Sequence, residues 1–287
     1  MERTVSKAKP SQKRIALVVV CAVLLALMTG FWILFAYIQV NKVTQYGYNV
    51  YAGYRATRYI AHRGESAKYF DNTQESFISS ASNPFFYAVE TDIRLTKDGV
   101  WVCSHDDNPF LDKSVRISAS TYDEIKDLPL DVSGARQGVN VSLPYTIPTY
   151  ELYLEILDHY GKRALIEIKG TYDRETLSPV VTQAVETLGL ADVTFGSFSL
   201  ESLRAVYETN AYVRMLAFTG NALSAYCYAY MGRSVGVDQK ILSKTFVDTA
   251  HKQGNAVFVY TVSDKVKADE YAALQADFII TNGEFAA

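Results

Sequence analysis

The sequence predicts an α/β protein: a TIM (β/α)8 barrel with an extra β-hairpin strand and a small inserted loop region, preceded by one N-terminal transmembrane helix. Strand-like apolar runs alternate with amphipathic helical patterns over about 230 residues, and eight such strands suit one barrel domain. Histidines and carboxylates fall late in several runs, where the carboxyl ends of barrel strands form active sites. A long charge-free stretch near the N-terminus predicts the membrane helix.

The N-terminal segment divides into a basic arm, residues 1–14, and an apolar span, residues 15–40. The span holds 26 residues without a charge. A helix there would be roughly 39 Å long and would cross a bilayer core of about 30 Å with some tilt. A cleaved signal peptide has an apolar region of only about 7–15 residues, so we expect an uncleaved anchor.

The charges beside the span predict its orientation. The arm carries five basic side chains and one acidic side chain, and this denser positive cluster favours a cytoplasmic N-terminus. The chain is then a single-pass membrane protein whose main domain is extracytoplasmic. Residues 41–57 form a short tether between the bilayer and the barrel.

We expect the barrel domain over residues 58–287. Its predicted strands are 58–62, 86–95, 163–168, 193–198, 213–218, 234–238, 256–262 and 277–281, with 100–104 as the extra strand. Its predicted helices are 72–82, 150–159, 174–188, 200–209, 242–253 and 266–274. Residues 106–149 are irregular and contain four prolines, and we expect this insertion to cap the barrel mouth.

The predicted hairpin brings two carboxylates and an imidazole together. Its turn, Thr96-Lys97-Asp98-Gly99, leaves no room for a parallel crossover, so the runs on either side must pair antiparallel. Any register near that turn places His105 opposite the stretch from Glu90 to Asp92. Because side chains alternate along a strand, Glu90 and Asp92 share one face.

A third carboxylate, Glu167, ends another predicted strand. With Glu90 and Asp92 it forms a set of hard oxygen ligands, which suits Ca²⁺ or Mg²⁺ and leaves room for water and a phosphate oxygen. We therefore predict that these three carboxylates bind a divalent metal ion. Alone, Glu167 would more often be an ordinary polar residue at a strand end.

Two histidines and two cations complete a set that suits phosphodiester cleavage. His62 and His105 are the predicted acid–base pair, because a near-neutral imidazole can deprotonate an attacking hydroxyl and protonate a leaving alkoxide. Either could instead be a metal ligand. Arg63 and Lys169 would bind phosphate, although Lys169 could simply pair with an acid. Asp106 either orients His105 or caps the next turn.

Charge and cysteines limit the choice of partner. The net charge is −3, and the basic arm accounts for +4, which leaves −7 for residues 41–287. Since phosphate backbones need basic surface, we expect no nucleic-acid partner. Cys103 and Cys227 could form a disulfide outside the cell, but free thiols are the expectation.

These motifs resemble the glycerophosphodiester phosphodiesterase family from about Tyr59 to Asn282. In order, the motifs are His62-Arg63-Gly64, Asn72-Thr73-Gln74-Glu75-Ser76-Phe77, Glu90-Thr91-Asp92, Thr96-Lys97-Asp98-Gly99, His105-Asp106, Ile147-Pro148-Thr149-Tyr150-Glu151, Glu167-Ile168-Lys169, Ser197-Phe198, Tyr260-Thr261-Val262 and Asp277-Phe278-Ile279-Ile280-Thr281-Asn282. The resemblance implies a phospholipase C-like barrel and metal-dependent hydrolysis of a glycerophosphodiester to glycerol 3-phosphate and an alcohol. It also implies that a glycerol hydroxyl attacks first, giving a cyclic phosphate that water opens.

The chain departs from the family pattern at three places. Phe70-Asp71 stands where the family usually has Pro-Glu, Tyr260 where it has Trp, and Asn282 where it has an acidic residue. Tyr260 is accordingly assigned to substrate binding, and these departures bear on which alcohol is accepted.

The expected substrate is a small glycerophosphodiester or a glycerophosphate polymer of a cell envelope. One alternative is a phospholipase C- or D-like enzyme that acts on intact phospholipid. The insertion shows only short apolar patches, such as Pro109-Phe110-Leu111, which favours the water-soluble diester. Another alternative is a catalytically inactive binding protein held at the membrane, but both histidines and all three carboxylates are present.

Overall fold

The computed structural model describes residues 19–33 and 56–285. The chain divides into two units, Met1–Gln45 and Tyr46–Ala287. In the first unit, residues 19–33 form helix α1, whose large apolar side chains are exposed. No helix within the described residues is long and apolar enough to cross a membrane. The ends of the predicted span 15–40, the arm 1–14 and most of the tether 41–57 lie outside the described residues.

The second unit is a closed barrel of eight parallel strands with helices around it, as in a TIM barrel. In sheet order the strands are β1 (Arg58–Ala61), β9 (Phe278–Thr281), β8 (Val257–Tyr260), β7 (Ser234–Asp238), β6 (Arg214–Thr219), β5 (Val193–Ser197), β4 (Arg163–Ile168) and β2 (Phe86–Leu95), with β3 (Trp101–Cys103) at the edge of β2. Pairing of β1 with both β9 and β2 closes the barrel. The predicted barrel and its extra antiparallel strand are confirmed.

The helices follow the strands around the outside. They are α2 (Gln74–Ser82), α3 (Tyr122–Ile125), α4 (Tyr150–His159), α5 (Arg174–Leu188), α6 (Leu200–Thr209), α7 (Ala222–Tyr230), α8 (Lys244–Lys252) and α9 (Lys265–Ala273). A polar side chain caps the first turn of each helix from α4 to α9 by accepting a backbone N–H. Helix α7 was not predicted, because its tyrosines and alanines form no apolar stripe and it buries only Ala225 and Ala229.

Large apolar side chains fill the inside of the barrel. The ring of Phe218 lies between two glycines of the neighbouring strands, Gly196 and Gly236, and a Cβ atom at either glycine would overlap it. Close packing of the barrel interior therefore requires small residues on the strands that flank Phe218. This packing leaves the polar residues at the carboxyl ends of the strands.

The insertion, residues 106–149, is a small packed layer rather than an irregular excursion. Its side chains form a separate apolar cluster around Phe110, Ile117, Leu130 and Tyr145. It contains α3, and residues on its two flanks pair directly, through a β-bridge between Val102 and Thr149. The chain therefore leaves and rejoins the barrel at almost the same point.

Candidate active site

Three carboxylates converge at the carboxyl ends of β2 and β4. Asp92 and Glu167 are opposite each other in the strand register, and Glu90 lies two residues earlier on the same face of β2. One oxygen from each carboxylate lies within 4.8 Å of the others. All three side chains are buried. The structure thus brings the three predicted metal ligands together.

Burial and mutual repulsion make negative charge costly in this cluster. Burial, followed by repulsion from Asp92 and Glu167, raises the pKa of Glu90 well above its usual range. Burial and then Asp92 raise the pKa of Glu167 to about 7, against the opposing effect of Lys169. Burial would also raise the pKa of Asp92, but Arg63 and Lys169 hold it far below its usual range. The two cations thus favour the ionised form of Asp92, whereas burial disfavours the ionised forms of Glu90 and Glu167.

Both predicted phosphate-binding cations contact this cluster. The Lys169 Nζ atom lies 2.9 Å from Asp92 Oδ1 and also contacts Glu167 Oε1. The Arg63 Nε atom lies 3.1 Å from Asp92 Oδ2, as an ion pair without a hydrogen bond. Lys169 thus makes the acid pairing that the sequence left open. Phosphate binding stays a prediction for both cations.

Two residues in the loop after β1 hold the cluster in place. Asn72 Nδ2 donates to Asp92 Oδ2 at 2.9 Å, and Asn72 Oδ1 accepts from Thr91 Oγ1 at 2.9 Å. Asp71 Oδ2 accepts from Arg63 Nη1 at 3.1 Å. Asn72 adopts a φ of 55°, a left-handed conformation that Asn tolerates better than most residues. Its motif was noted in the sequence, but only the folded loop shows what Asn72 and Asp71 contact.

His62 directly follows β1, and a neutral amide fixes its orientation. Its Nδ1 lies 2.8 Å from Asn282 Oδ1, which also accepts from Ser66 Oγ at 3.1 Å. Asn282 Nδ2 donates to Ser263 Oγ at 2.6 Å, which sets the orientation of the amide. His62 therefore donates from Nδ1 and keeps Nε2 as an acceptor. Burial, followed by Arg63, lowers the pKa of His62 to about 4.

A carboxylate orients His105, which follows β3. The Nδ1 atom of His105 lies 2.8 Å from Asp106 Oδ1, so Asp106 orients the imidazole. The backbone carbonyl of His105 accepts from Nε and Nη2 of Arg94 at 2.9 and 2.7 Å. Burial and then Arg63 lower the pKa of His105, while Asp106 acts in the opposite direction. The charges of Asp92 and Arg63 affect both imidazoles, so the predicted pair lies in one electrostatic site.

Tyr260 belongs to an aromatic wall at the barrel mouth, formed with Phe198 and Phe218. Its ring centroid lies 5.3 Å from that of Phe218 and 6.1 Å from that of Phe198. Burial and then Glu167 raise the pKa of Tyr260. Phe198 is 52% exposed, and its ring centroid lies 5.9 Å from Lys169 Nζ. The predicted substrate residue Tyr260 thus lies beside the charged cluster.

A polar cavity of about 120 Å³ separates the barrel mouth from the insertion. From the barrel side it is lined by Arg63, Asp71, Asn72 and His105, and from the insertion by Asn108, Lys113, Leu130 and Asp131. The insertion therefore forms one wall beside the histidine and the arginine. Cys103, which also lines this cavity, and Cys227 are free thiols.

The carboxylate cluster fits a hard divalent cation. Its donors are three oxygens of the kind that Ca²⁺ and Mg²⁺ prefer. Glu167 Oε1 is buried and is contacted by Lys169 Nζ. Burial and mutual repulsion raise the pKa values of Glu90 and Glu167, and a bound cation would favour the ionised form of both.

Comparison with known proteins agrees with the fold. Residues 62–283 match the model of the glycerophosphoryl diester phosphodiesterase family. A glycerophosphodiester phosphodiesterase from Parabacteroides distasonis is 25% identical, with a TM-score of 0.65 over 80% of this chain and 94% of that chain. A phosphodiesterase from Oleispira antarctica, solved with the product sn-glycerol-3-phosphate, is 22% identical, with a TM-score of 0.65 over 79% of this chain and 93% of that chain. One from Agrobacterium tumefaciens is 22% identical, with a TM-score of 0.63 over 79% of this chain and 96% of that chain.

The family match covers most of the barrel domain, from His62 to Gly283, and contains every predicted site residue. The structural neighbours share the fold over most of their own length. The chain therefore belongs to the glycerophosphoryl diester phosphodiesterase family and is a phosphodiesterase.

Proposed function

We propose that the chain hydrolyses glycerophosphodiesters to glycerol 3-phosphate and an alcohol, with a divalent metal ion and two histidines at the barrel mouth. The observation that carries this proposal is the meeting of Glu90, Asp92 and Glu167 in one buried cluster beside two oriented imidazoles. The product bound by the Oleispira antarctica relative supports glycerol 3-phosphate as the shared product.

The metal ion would be Ca²⁺ or Mg²⁺, held by Glu90, Asp92 and Glu167. Such an ion polarises a phosphoryl oxygen and stabilises the charge that develops on it. Arg63 and Lys169 add donors on the same side, since both contact Asp92. Tyr260 and the aromatic wall would contact the substrate beside them.

The two imidazoles differ in a way that assigns their roles. His62 is neutral at pH 7 and its Nε2 is free to accept, so it takes the proton of the attacking hydroxyl. Burial and Arg63 lower the pKa of His105 as well, but His105 is paired with the Asp106 carboxylate, which opposes that shift, whereas His62 has a neutral amide as its partner. We therefore assign to His105 the transfer of a proton to the alkoxide as the P–O bond of the leaving alcohol breaks.

A product assay tests this function. The full chain is incubated with glycerophosphocholine, glycerophosphoethanolamine, glycerophosphoinositol or intact phospholipid, each with Ca²⁺, Mg²⁺ or chelator. Release of glycerol 3-phosphate from a water-soluble diester, lost on chelation, is the expected result. His159→Ala, on the exposed face of α4, is the matched control for His62→Ala and His105→Ala. Turnover of intact phospholipid alone would instead favour the phospholipase alternative.

The small polar cavity supports a small alcohol as the leaving group. Most of the side chains that line it are polar, which suits a headgroup alcohol better than the acyl chains of a lipid. The exposed ring of Phe198 is the one feature of the aromatic wall that suits an apolar substrate. A glycerophosphate polymer would have to present its diester at this mouth from outside.

The site is proposed to work outside the cytoplasm, anchored by residues 15–40. The charge-free span and the basic arm 1–14 support this orientation. External protease added to intact cells should then remove the barrel domain and leave the arm protected. Protection of the domain would refute the orientation.

A further inference from the structure

A carboxylate outside the metal cluster joins the insertion to Arg63. Asp71 Oδ2 accepts hydrogen bonds from Arg63 Nη1 and from Arg136 Nη2, each at 3.1 Å. The other oxygen of Asp71 contacts Arg136 Nη1, which also donates to the Ser66 carbonyl at 3.4 Å. Arg136 lies in the insertion, and Arg63 lies at the barrel mouth. Asp71 therefore pairs with one arginine of the barrel mouth and with one arginine of the insertion.

Charges of opposite sign alternate along this chain of contacts, from Asp92 through Arg63 and Asp71 to Arg136. Arg63 pairs with Asp92 and Asp71, and Lys169 also pairs with Asp92, so Asp71 is the carboxylate that Arg63 and Lys169 do not share. Arg136 contacts both oxygens of Asp71 and so compensates that carboxylate from the far side. The Asp71 and Arg63 side chains are only 18% and 19% exposed, so solvent screens these interactions incompletely.

We infer that Arg136 and Asp71 are positioning residues for phosphate binding: Arg136 neutralises Asp71, so that Arg63 keeps its attraction for the phosphate group of the substrate. The inference rests on the proposed function, in which Arg63 binds phosphate. It also makes the insertion part of the binding apparatus, because the insertion supplies the compensating charge.

A purely mechanical role for the pair predicts a different pattern. If the ion pair only holds the insertion against the barrel, removal of either partner breaks it equally. Both substitutions should then weaken phosphate binding to the same extent. If the pair acts through charge, removal of Arg136 and neutralisation of Asp71 should change the affinity for phosphate in opposite directions. Removing Arg136 leaves the full charge of Asp71 on Arg63, whereas neutralising Asp71 releases Arg63.

The test compares Arg136→Gln with Asp71→Asn in the full chain. The dissociation constant of inorganic phosphate is measured by ³¹P NMR titration in the presence of Mg²⁺. We expect Arg136→Gln to weaken phosphate binding about threefold to tenfold, the scale of one partly screened ion pair. It should raise KM for glycerophosphocholine more than it lowers kcat. Asp71→Asn keeps an oxygen that can accept from Arg63, and it should bind phosphate as tightly as the wild type or more tightly.

Two further variants make the result decisive. The double variant Arg136→Gln/Asp71→Asn should regain the affinity that Arg136→Gln loses. Arg116→Gln, which removes another arginine of the insertion, 3.6 Å from Asp107, should bind phosphate normally. Equal weakening in both single variants, or normal binding by Arg136→Gln, would overturn the inference. Phosphate binding requires no turnover. A wild-type protein that binds phosphate but does not hydrolyse glycerophosphocholine would therefore refute the proposed function and not this inference.

Discussion

Replacing Glu167 by glutamine should stabilise the metal-free protein while abolishing its response to metal. Burial and the nearby Asp92 raise the pKa of Glu167 from an ordinary 4.5 to about 7. At about 1.4 kcal/mol for each pKa unit, the ionised side chain costs the folded state about 3 kcal/mol. Glutamine resembles the neutral acid in shape and avoids this cost. The stability gain follows from the burial of Glu167 and from its repulsion by Asp92.

The gain should depend on pH in a definite way. Since the folded pKa of Glu167 lies above the unfolded one, the stability that its proton provides is fully present below about pH 4.5 and is lost as pH rises through about 7. Glu167→Gln and wild type should therefore be equally stable near pH 4. Above pH 7 the variant should be more stable by about 3 kcal/mol, or about 6–12 °C in Tm for a domain of this size.

Thermal and urea unfolding at pH 4, 6 and 8, with chelator or with Ca²⁺ or Mg²⁺, measure both effects. Metal should raise the Tm of the wild type at pH 8 and have little effect on the variant, because a ligand is missing. Glu155→Gln, on the exposed face of α4, is the control and should change stability by less than about 0.5 kcal/mol. A metal-free Glu167→Gln protein that is less stable than wild type at pH 8 would refute the reasoning.

Four other predictions concern catalysis. His62→Ala and His105→Ala should each lower kcat by about 10²–10⁴-fold, and the double variant should be little worse than either; independent, additive losses would contradict a joint role. Because burial and Arg63 lower the pKa of His62 to about 4, kcat/KM should persist below pH 6.5 in a pH–rate profile, where an ordinary histidine would be protonated. Asn282→Asp gives Nδ1 of His62 a carboxylate partner, which should raise the pKa of His62 and move the acidic limb of that profile to higher pH. An unchanged acidic limb would show that the contact between His62 and residue 282 does not affect catalysis. Chelation should abolish turnover, and Glu90→Gln should weaken metal binding in a titration without changing the circular dichroism spectrum; full turnover of chelated protein would exclude a metal role.

The sequence predicted the barrel and the carboxylate cluster because both depend on local patterns. The turn around Asp98 and Gly99 fixed the hairpin, and alternation along β2 put Glu90 and Asp92 on one face. Register then brought Glu167 opposite Asp92, as expected if carboxyl ends of neighbouring parallel strands meet.

The contacts that orient the site depend on distant and irregular segments, so local patterns could not predict them. His62 and Asn282 are 220 residues apart and meet only because β1 pairs with β9. Asp71 and Arg136 are 65 residues apart, and both lie in segments without a repeating pattern. Helix α7 was not predicted because its buried positions are alanines, which do not form a clear periodic pattern of large apolar residues.

The architecture of the insertion has an evolutionary consequence. Its flanks pair with each other between Val102 and Thr149, and its apolar side chains pack in one cluster that also includes Val102 of β3. Such a unit can be lengthened, shortened or exchanged between relatives without disturbing strand order or barrel closure, whereas the metal ligands and histidines stand on the barrel itself. Changes in the insertion can thus alter the accepted alcohol while the metal ligands and histidines stay in place, as long as Arg136 and its ion pair with Asp71 are kept.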